Sequence, residues 1–178
     1  MKKTIFKISI FSLILVLLIG TVLFLSSRLE TKPTYSGGKV VGKLLPDVTL
    51  EDTNGQSVEL RKLIGKRIVI NFFNSWCIPC QEELPALQEF ASQHTGENDF
   101  VFIGIVRDDS KSNIRSWMKN NKVPFDVLFD PDDKASIAFG TTGQPETYAI
   151  NPDGRVVGSI LSQANLTSLE ELLSATKS

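Results

Sequence analysis

The chemistry this sequence offers most directly lies in its only two cysteines, Cys77 and Cys80, within Trp76-Cys77-Ile78-Pro79-Cys80. They follow a short apolar run, Ile68-Val69-Ile70-Asn71-Phe72-Phe73, and precede Leu84, Leu87, Phe90 and Ala91, which recur at helical spacing. A buried strand therefore hands over to a helix where the thiols sit. Two intervening residues let the sulfurs bridge as the chain turns into the helix. The free amides and the positive dipole end at a helix start stabilise a thiolate on Cys77. Cys77, nearer the loop, is then the exposed attacking thiol, and Cys80, a turn further in, resolves the mixed disulfide. Pro79 falls at an early helical position with no hydrogen bond to lose. The implied reaction is exchange between this dithiol and a disulfide on another molecule.

Duller readings weigh less. A purely structural bridge over this short loop removes little entropy from the unfolded chain. A four-ligand Cys/His zinc site is out of reach with two cysteines and the single His94, so neither a metal nor a cofactor beyond the Cys77–Cys80 disulfide is expected. His94 reads as a surface residue after the first helix, where a cation suits the dipole. Trp76 either packs or, beside an exposed thiol, shapes the contact surface. A second feature is Gly143-Gln144-Pro145-Glu146-Thr147, which opens a late strand. A proline there costs no ladder bond. With a cis bond the chain makes a sharp loop that can lie against the cysteines; with a trans bond Pro145 simply ends a loop.

The elements that must position these residues emerge from pattern. Val48–Leu50 and Ser57–Leu60 flank Asp52-Thr53-Asn54-Gly55 and predict a hairpin. Strands are predicted at 68–73, 100–106 and 127–129, and a second hairpin pairs 146–150 with 155–160 around Asn151-Pro152-Asp153-Gly154. Helices are predicted from about Cys77 to Gln93, after Ser110, around 134–139, and from near Thr167. The class is α/β, one central sheet covered on both faces.

Composition sets the outer bounds. The chain has 178 residues, 19 basic and 20 acidic, which suits one domain and argues against a nucleic-acid partner held by a broad basic face. Ile8–Leu25 carries no charge and is preceded by Lys2, Lys3 and Lys7. As a helix it covers roughly 27 Å, close to the hydrocarbon thickness of a bilayer. The positive-inside rule then exports the chain beyond about residue 28. We read residues 1–28 as an uncleaved anchor rather than a cleaved signal peptide, since Phe24-Leu25-Ser26-Ser27-Arg28 is a poor cleavage site. Residues 29–42 are a Gly-containing tether and 43–178 the folded domain.

On these motifs the chain resembles the thioredoxin superfamily, and more closely its membrane-tethered TlpA/ResA/DsbE (CcmG) branch. The resemblance spans about residues 41–176 and rests on Asn71 through Cys80, on Glu82-Glu83-Leu84-Pro85, on Gly143 through Tyr148 and on Asn151-Pro152-Asp153-Gly154. It implies a thioredoxin-like central mixed sheet flanked by helices, an N-terminal hairpin and a single N-terminal transmembrane helix. It implies that Cys77 is the nucleophile, Cys80 the resolving thiol and Pro145 a cis-proline that docks substrate backbone. Asn71 fills the slot where ordinary thioredoxins carry a buried Asp, and the branch instead places an acid at Glu83. Helical geometry agrees, turning Glu83 inward with Leu87 and Glu82 outward. A buried Glu83 has a raised pKa and can relay the proton of Cys80, although a Glu in a first helical turn is also a common dipole partner. Glu146 matches an acid that tunes the site or selects partners, and Gln144 departs from the branch's usual small apolar residue, which bears on partner choice.

The implied activity is that of an extracytoplasmic thiol:disulfide oxidoreductase, held in the cell membrane by one span. It would reduce disulfide-containing clients such as apocytochrome c during cytochrome c maturation and be re-reduced by a membrane thiol electron donor. A general envelope disulfide oxidase or isomerase is the alternative within the same chemistry. A thiol-based copper or haem chaperone is the alternative from another class, but related copper-delivery proteins space their cysteines by three and add a His. A peroxiredoxin wants Thr or Ser three residues before its reactive Cys, where Asn74 stands.

Overall fold

The computed structural model divides the chain after Thr34 into two units and describes residues 15–21 of the first and 39–177 of the second. Residues 15–21 are helical, with exposed apolar side chains such as Leu17 and Leu18. No helix among the described residues is long and apolar enough to cross a membrane. The transmembrane helix expected over 8–25 is thus not shown: most of that run lies outside the described residues, as does most of the tether. Within the second unit Val40 is already buried, and the Gly42 amide donates to the Val156 carbonyl.

The second unit is built on one seven-stranded mixed sheet. Its strands are β1 (Thr49–Asp52), β2 (Ser57–Glu59), β3 (Arg67–Phe73), β4 (Phe100–Val106), β5 (Asp126–Phe129), β6 (Glu146–Ile150) and β7 (Val156–Ile160), in the order β2-β1-β5-β4-β3-β6-β7. The helices are α1 (Ile78–Gln93), α2 (Lys111–Asn121), α3 (Lys134–Phe139) and α4 (Leu166–Ser174). Strands β3, β4 and β5 run parallel, while the two hairpins join antiparallel at either side. Each element predicted from periodicity is present, and Ser110 caps α2 by accepting from the Asn113 amide.

Alternation along β3 decides what the site can contain, because successive residues point to opposite faces. Ile68, Ile70 and Phe72 enter one core with Leu128, Phe139 and Tyr148. Val69 and Phe73 enter the other, beneath Leu84, Leu87 and Phe90 of α1 and Leu169 and Leu173 of α4. Asn71 lies between Val69 and Phe73 on the α1 side, fully buried. On that face Gly104 of β4 lets two aromatic rings, Phe73 and Phe125, close over the strand. A Cβ at Gly104 would meet Phe73 Cε1 at 2.7 Å and Phe125 Cε2 at 2.8 Å. Gly104→Ala is expected to cost about 1–3 kcal/mol by overpacking, measured as the loss of unfolding free energy in urea.

His94 is not the surface residue that its position suggested. It is the C-cap of α1, with a side chain only 14% exposed, packed at a tilt against Phe90 and Phe100. Nδ1 meets Glu97 and Nε2 meets Glu170, each at 2.9 Å. Burial disfavours the imidazolium, but the two carboxylates outweigh it and the pKa rises above its ordinary value. A raised pKa gives stability that is complete below the unfolded value near 6.5 and is lost as pH climbs through the folded one. His94→Ala should therefore destabilise by on the order of 1 kcal/mol in mild acid and less at alkaline pH. A pH-independent loss in paired denaturation curves would refute this.

Candidate functional site: a dithiol at a helix start

The site gathers at the carboxyl ends of β3 and β4, where parallel strands leave a crevice. Cys77 is the N-cap residue of α1, and its Sγ accepts from the Cys80 amide at 3.1 Å. Pro79 stands in the first turn, where no hydrogen bond is lost. The sulfurs are bridged, with an S–S distance of 2.06 Å and a Cα–Cα distance of 5.2 Å. One expectation is corrected: Cys77 is nearly as buried as Cys80, at 5% against 3% exposure. The reason lies across the crevice, where the Gln144 carbonyl sits 3.8 Å from Cys77 Sγ. The Gln144–Pro145 bond is cis, and Pro145 is buried. Exposure belongs to the neighbours Trp76 and Ile78, at 56% and 67%.

Glu83 lies one turn beyond Cys80 on the same helix face. It is 1% exposed, whereas Glu82 is at the surface. Its Oε1 accepts from Asn71 Nδ2 at 2.9 Å and its Oε2 from the Ala164 amide at 2.8 Å. Burial raises its pKa to about 7, against the pull of these two donors. Asn71 Nδ2 also reaches Thr147 Oγ1 at 3.0 Å, across the β3–β6 register pair.

Glu146 is buried, but its carboxylate serves its own loop. It accepts from the Thr142 amide and hydroxyl at 2.9 and 3.1 Å, from the Gly143 amide at 3.2 Å and from the Tyr148 hydroxyl at 2.6 Å. Burial, reinforced by that carboxylate, holds the Tyr148 phenol above its usual pKa. Glu146 thus fixes the turn that carries Gln144 and Pro145.

Two site residues, Asp108 and Asp109, were missed in the sequence. The Trp76 indole N–H donates to the Asp108 carbonyl at 3.1 Å, which holds the exposed ring over the loop after β4. Asp109 Oδ2 accepts from the Ser75 amide at 2.8 Å and its hydroxyl at 2.6 Å. Burial works against the Asp109 carboxylate, but these bonds and those from Asn113 and Ser110 bring its pKa below the ordinary range. The signal for both was their position just past a parallel strand. Asn74 fills the slot three residues before Cys77 and donates to the Arg107 carbonyl at 3.3 Å, so no hydroxyl stands there. Among the described residues no group of three or more His, Cys, Asp or Glu is placed to hold a metal.

Comparison with known proteins agrees with this geometry. Residues 41–159 match the AhpC/TSA family. The chain belongs to that family. The AhpC/TSA match contains both cysteines, Glu83 and the Pro145 loop. A thiol-disulfide oxidoreductase ResA from Bacillus subtilis (strain 168) is 34% identical over 116 residues, 65% of this chain and 64% of that relative. The protein of the same name from Bacillus anthracis is 28% identical over 133 residues, 75% of this chain and 76% of the relative. Among solved structures, DsbF of MTB, in mixed oxidized and reduced forms, superposes with a TM-score of 0.66 at 25% identity, covering 74% of this chain and 98% of its own. A thiol:disulfide interchange protein of the thioredoxin family from Chlorobium tepidum TLS, 21% identical, shows the fold, with a TM-score of 0.67 over 80% of this chain and 100% of its own. The AhpC/TSA domain of this chain is thioredoxin-like, and its Cys77–Cys80 pair is a thiol–disulfide oxidoreductase centre.

Proposed function

We propose that the protein is a reductase of disulfides in client proteins outside the cell membrane, held there by the apolar run at residues 8–25, with apocytochrome c as its client in cytochrome c maturation. The observation that carries the exchange chemistry is Cys77 Sγ at the N-cap of α1, within reach of the Cys80 amide and facing the Pro145 loop. In the reduced protein the Cys77 thiolate attacks one sulfur of the client disulfide, and the other client sulfur leaves as a thiolate. Cys80 then loses its proton to Glu83 and attacks Cys77 Sγ. The Cys77–Cys80 bond forms as the bond between Cys77 and the client breaks, and the second client sulfur leaves as a thiolate. The two client thiolates take up protons from Glu83 and solvent, and the protein has lost two electrons. A membrane thiol donor restores them. The docking roles given to Trp76, Gln144 and Pro145 fit the surroundings of Cys77, with Trp76 offering an exposed ring, whereas the buried Glu146 braces the loop that carries Gln144 and Pro145 instead of docking the client.

The reductive direction implies a potential at roughly −200 mV or lower, where about −120 mV marks a strong oxidant. Support comes from the relatives named ResA and from the run of uncharged residues behind three lysines. The test is Cys80→Ala expressed in the native host, with mixed disulfides trapped on Cys77 and identified by mass spectrometry. Cytochrome c precursors are the expected catch. A catch of unrelated folding clients would instead indicate a general oxidase or isomerase. Tight Cu(I) binding without reduction of a small disulfide would indicate a chaperone.

A further inference from the structure

Glu83 meets one side chain able to serve both of its charge states. The Ala164 amide occupies Oε2, so the proton of a neutral Glu83 sits on Oε1, opposite Asn71. In the observed arrangement Asn71 Nδ2 gives its two hydrogens to Glu83 Oε1 and Thr147 Oγ1. Asn71 Oδ1 is buried and, among the described residues, has no partner. This arrangement suits a carboxylate. It does not suit the acid, whose O–H would point at an N–H. Half a turn of the amide places Oδ1 where Nδ2 now lies. There it accepts from the Glu83 O–H and from the Thr147 hydroxyl, which can give as well as receive. The amide then makes two hydrogen bonds in either state, with its unpaired end exchanged, so bond count favours neither.

We propose that Asn71 is a positioning residue: an amide that turns as the proton comes and goes on Glu83, keeping the buried carboxyl hydrogen-bonded in both states. The inference rests on the reading of Glu83 as the proton acceptor for Cys80. It also explains why an amide with an orphaned acceptor is kept in the sheet, where burial without a partner costs stability. The carboxyl is faced by Asn71 from β3 and the Ala164 amide from the segment before α4, with Thr147 of β6 behind Asn71. All three are uncharged. On its own helix Cys80 is one turn away and titrates only when reduced. A carboxyl poised about 7 by burial accords with such a surround. The proton moves between Glu83 and the Cys80 thiol, and the amide only follows.

The test is an NMR titration of the oxidised, isotopically labelled full-length chain in micelles, where no thiol titrates and no client turns over. The Glu83 carboxyl carbon reports the proton. Nuclear Overhauser contacts from the Asn71 amide hydrogens to Thr147 report the rotation. Those contacts should be strong at about pH 8.5 and weak at about pH 5.5, on opposite sides of the Glu83 midpoint. In Glu83→Gln they should no longer change with pH. Asn71→Leu removes partners from both states, so the Glu83 midpoint should move by less than about one pH unit, a tenfold change. Asn71 contacts that are the same at both ends of the titration would overturn the proposal. So would a larger rise in Asn71→Leu, the mark of a fixed donor to the anion alone. Should Asn71→Leu fail to fold, the unsubstituted chain decides. Client trapping on Cys77 is an independent result, so loss of one reading leaves the other standing.

Discussion

Cys77→Ser should abolish disulfide exchange, by at least about 10⁴-fold, while leaving the domain folded. A serine hydroxyl at residue 77 is a good N-cap and can accept from the Cys80 amide as the sulfur does. The start of α1 therefore survives. The lost bridge closes only a short loop, worth about 2 kcal/mol in the chain-entropy estimate. Although Cys77 is one buried member of the core beneath α1, the other members of that core and the whole of the core on the opposite face are unchanged. What disappears is the sulfur nucleophile, because an alcohol at the same helix start stays protonated. Cys80→Ser should behave differently, since Cys77 still attacks but the mixed disulfide is not resolved. Single-turnover reduction of a small disulfide, with thiol counting afterwards, separates the two. Residual exchange in Cys77→Ser above the uncatalysed rate would remove Cys77 from the role of attacking thiol.

The parts of this site governed by local periodicity are legible in the chain itself. The alternation of Ile68, Ile70 and Phe72 against Val69, Asn71 and Phe73 sets the two faces of β3, and helical spacing turns Glu83 inward and Glu82 outward. The strand-to-helix junction locates Cys77 at the N-cap, and the residues around Pro145 mark the facing loop. Contacts between segments far apart in sequence leave no such mark. Nothing in Gly143–Glu146 says that its Gln144 carbonyl will lie over Cys77 Sγ, so the sulfur looked more open than it is. The Glu146 carboxylate is claimed by amides three and four residues before it, an interaction decided by a tight loop rather than by facing the cysteines. Asp109 reaches Ser75 only because β3 and β4 pair in register from Arg67 with Phe100 to Phe73 with Val106. His94 finds Glu170 across 76 residues, through the packing of α1 on α4.

Glu83→Gln should slow the resolving step by about 10²-fold or more while making the oxidised protein more stable in alkali. The two effects share one cause. Burial lifts the Glu83 pKa from 4.5 to about 7. Below pH 4.5 the carboxyl is neutral in both the folded and unfolded chains and contributes no pH-dependent cost. Between the two values the unfolded chain ionises first, so folding loses ground as pH rises. Above the folded value the cost is complete, at about 3 kcal/mol for a shift of this size. Glutamine resembles the neutral acid and carries no charge to desolvate. Its stability advantage should therefore be small near pH 5 and grow toward about 3 kcal/mol by about pH 8. The bond from the Ala164 amide can persist on the glutamine oxygen, and the glutamine N–H₂ needs an acceptor where Asn71 now donates. With no base one turn from Cys80, the mixed disulfide should accumulate during turnover and decay with the pH dependence of the thiol alone. Urea unfolding at the two pH values and rapid-quench detection of the mixed disulfide check the two halves. A stability difference that does not vary with pH would show that Glu83 does not titrate in this range, and the proton-acceptor role would fall with it.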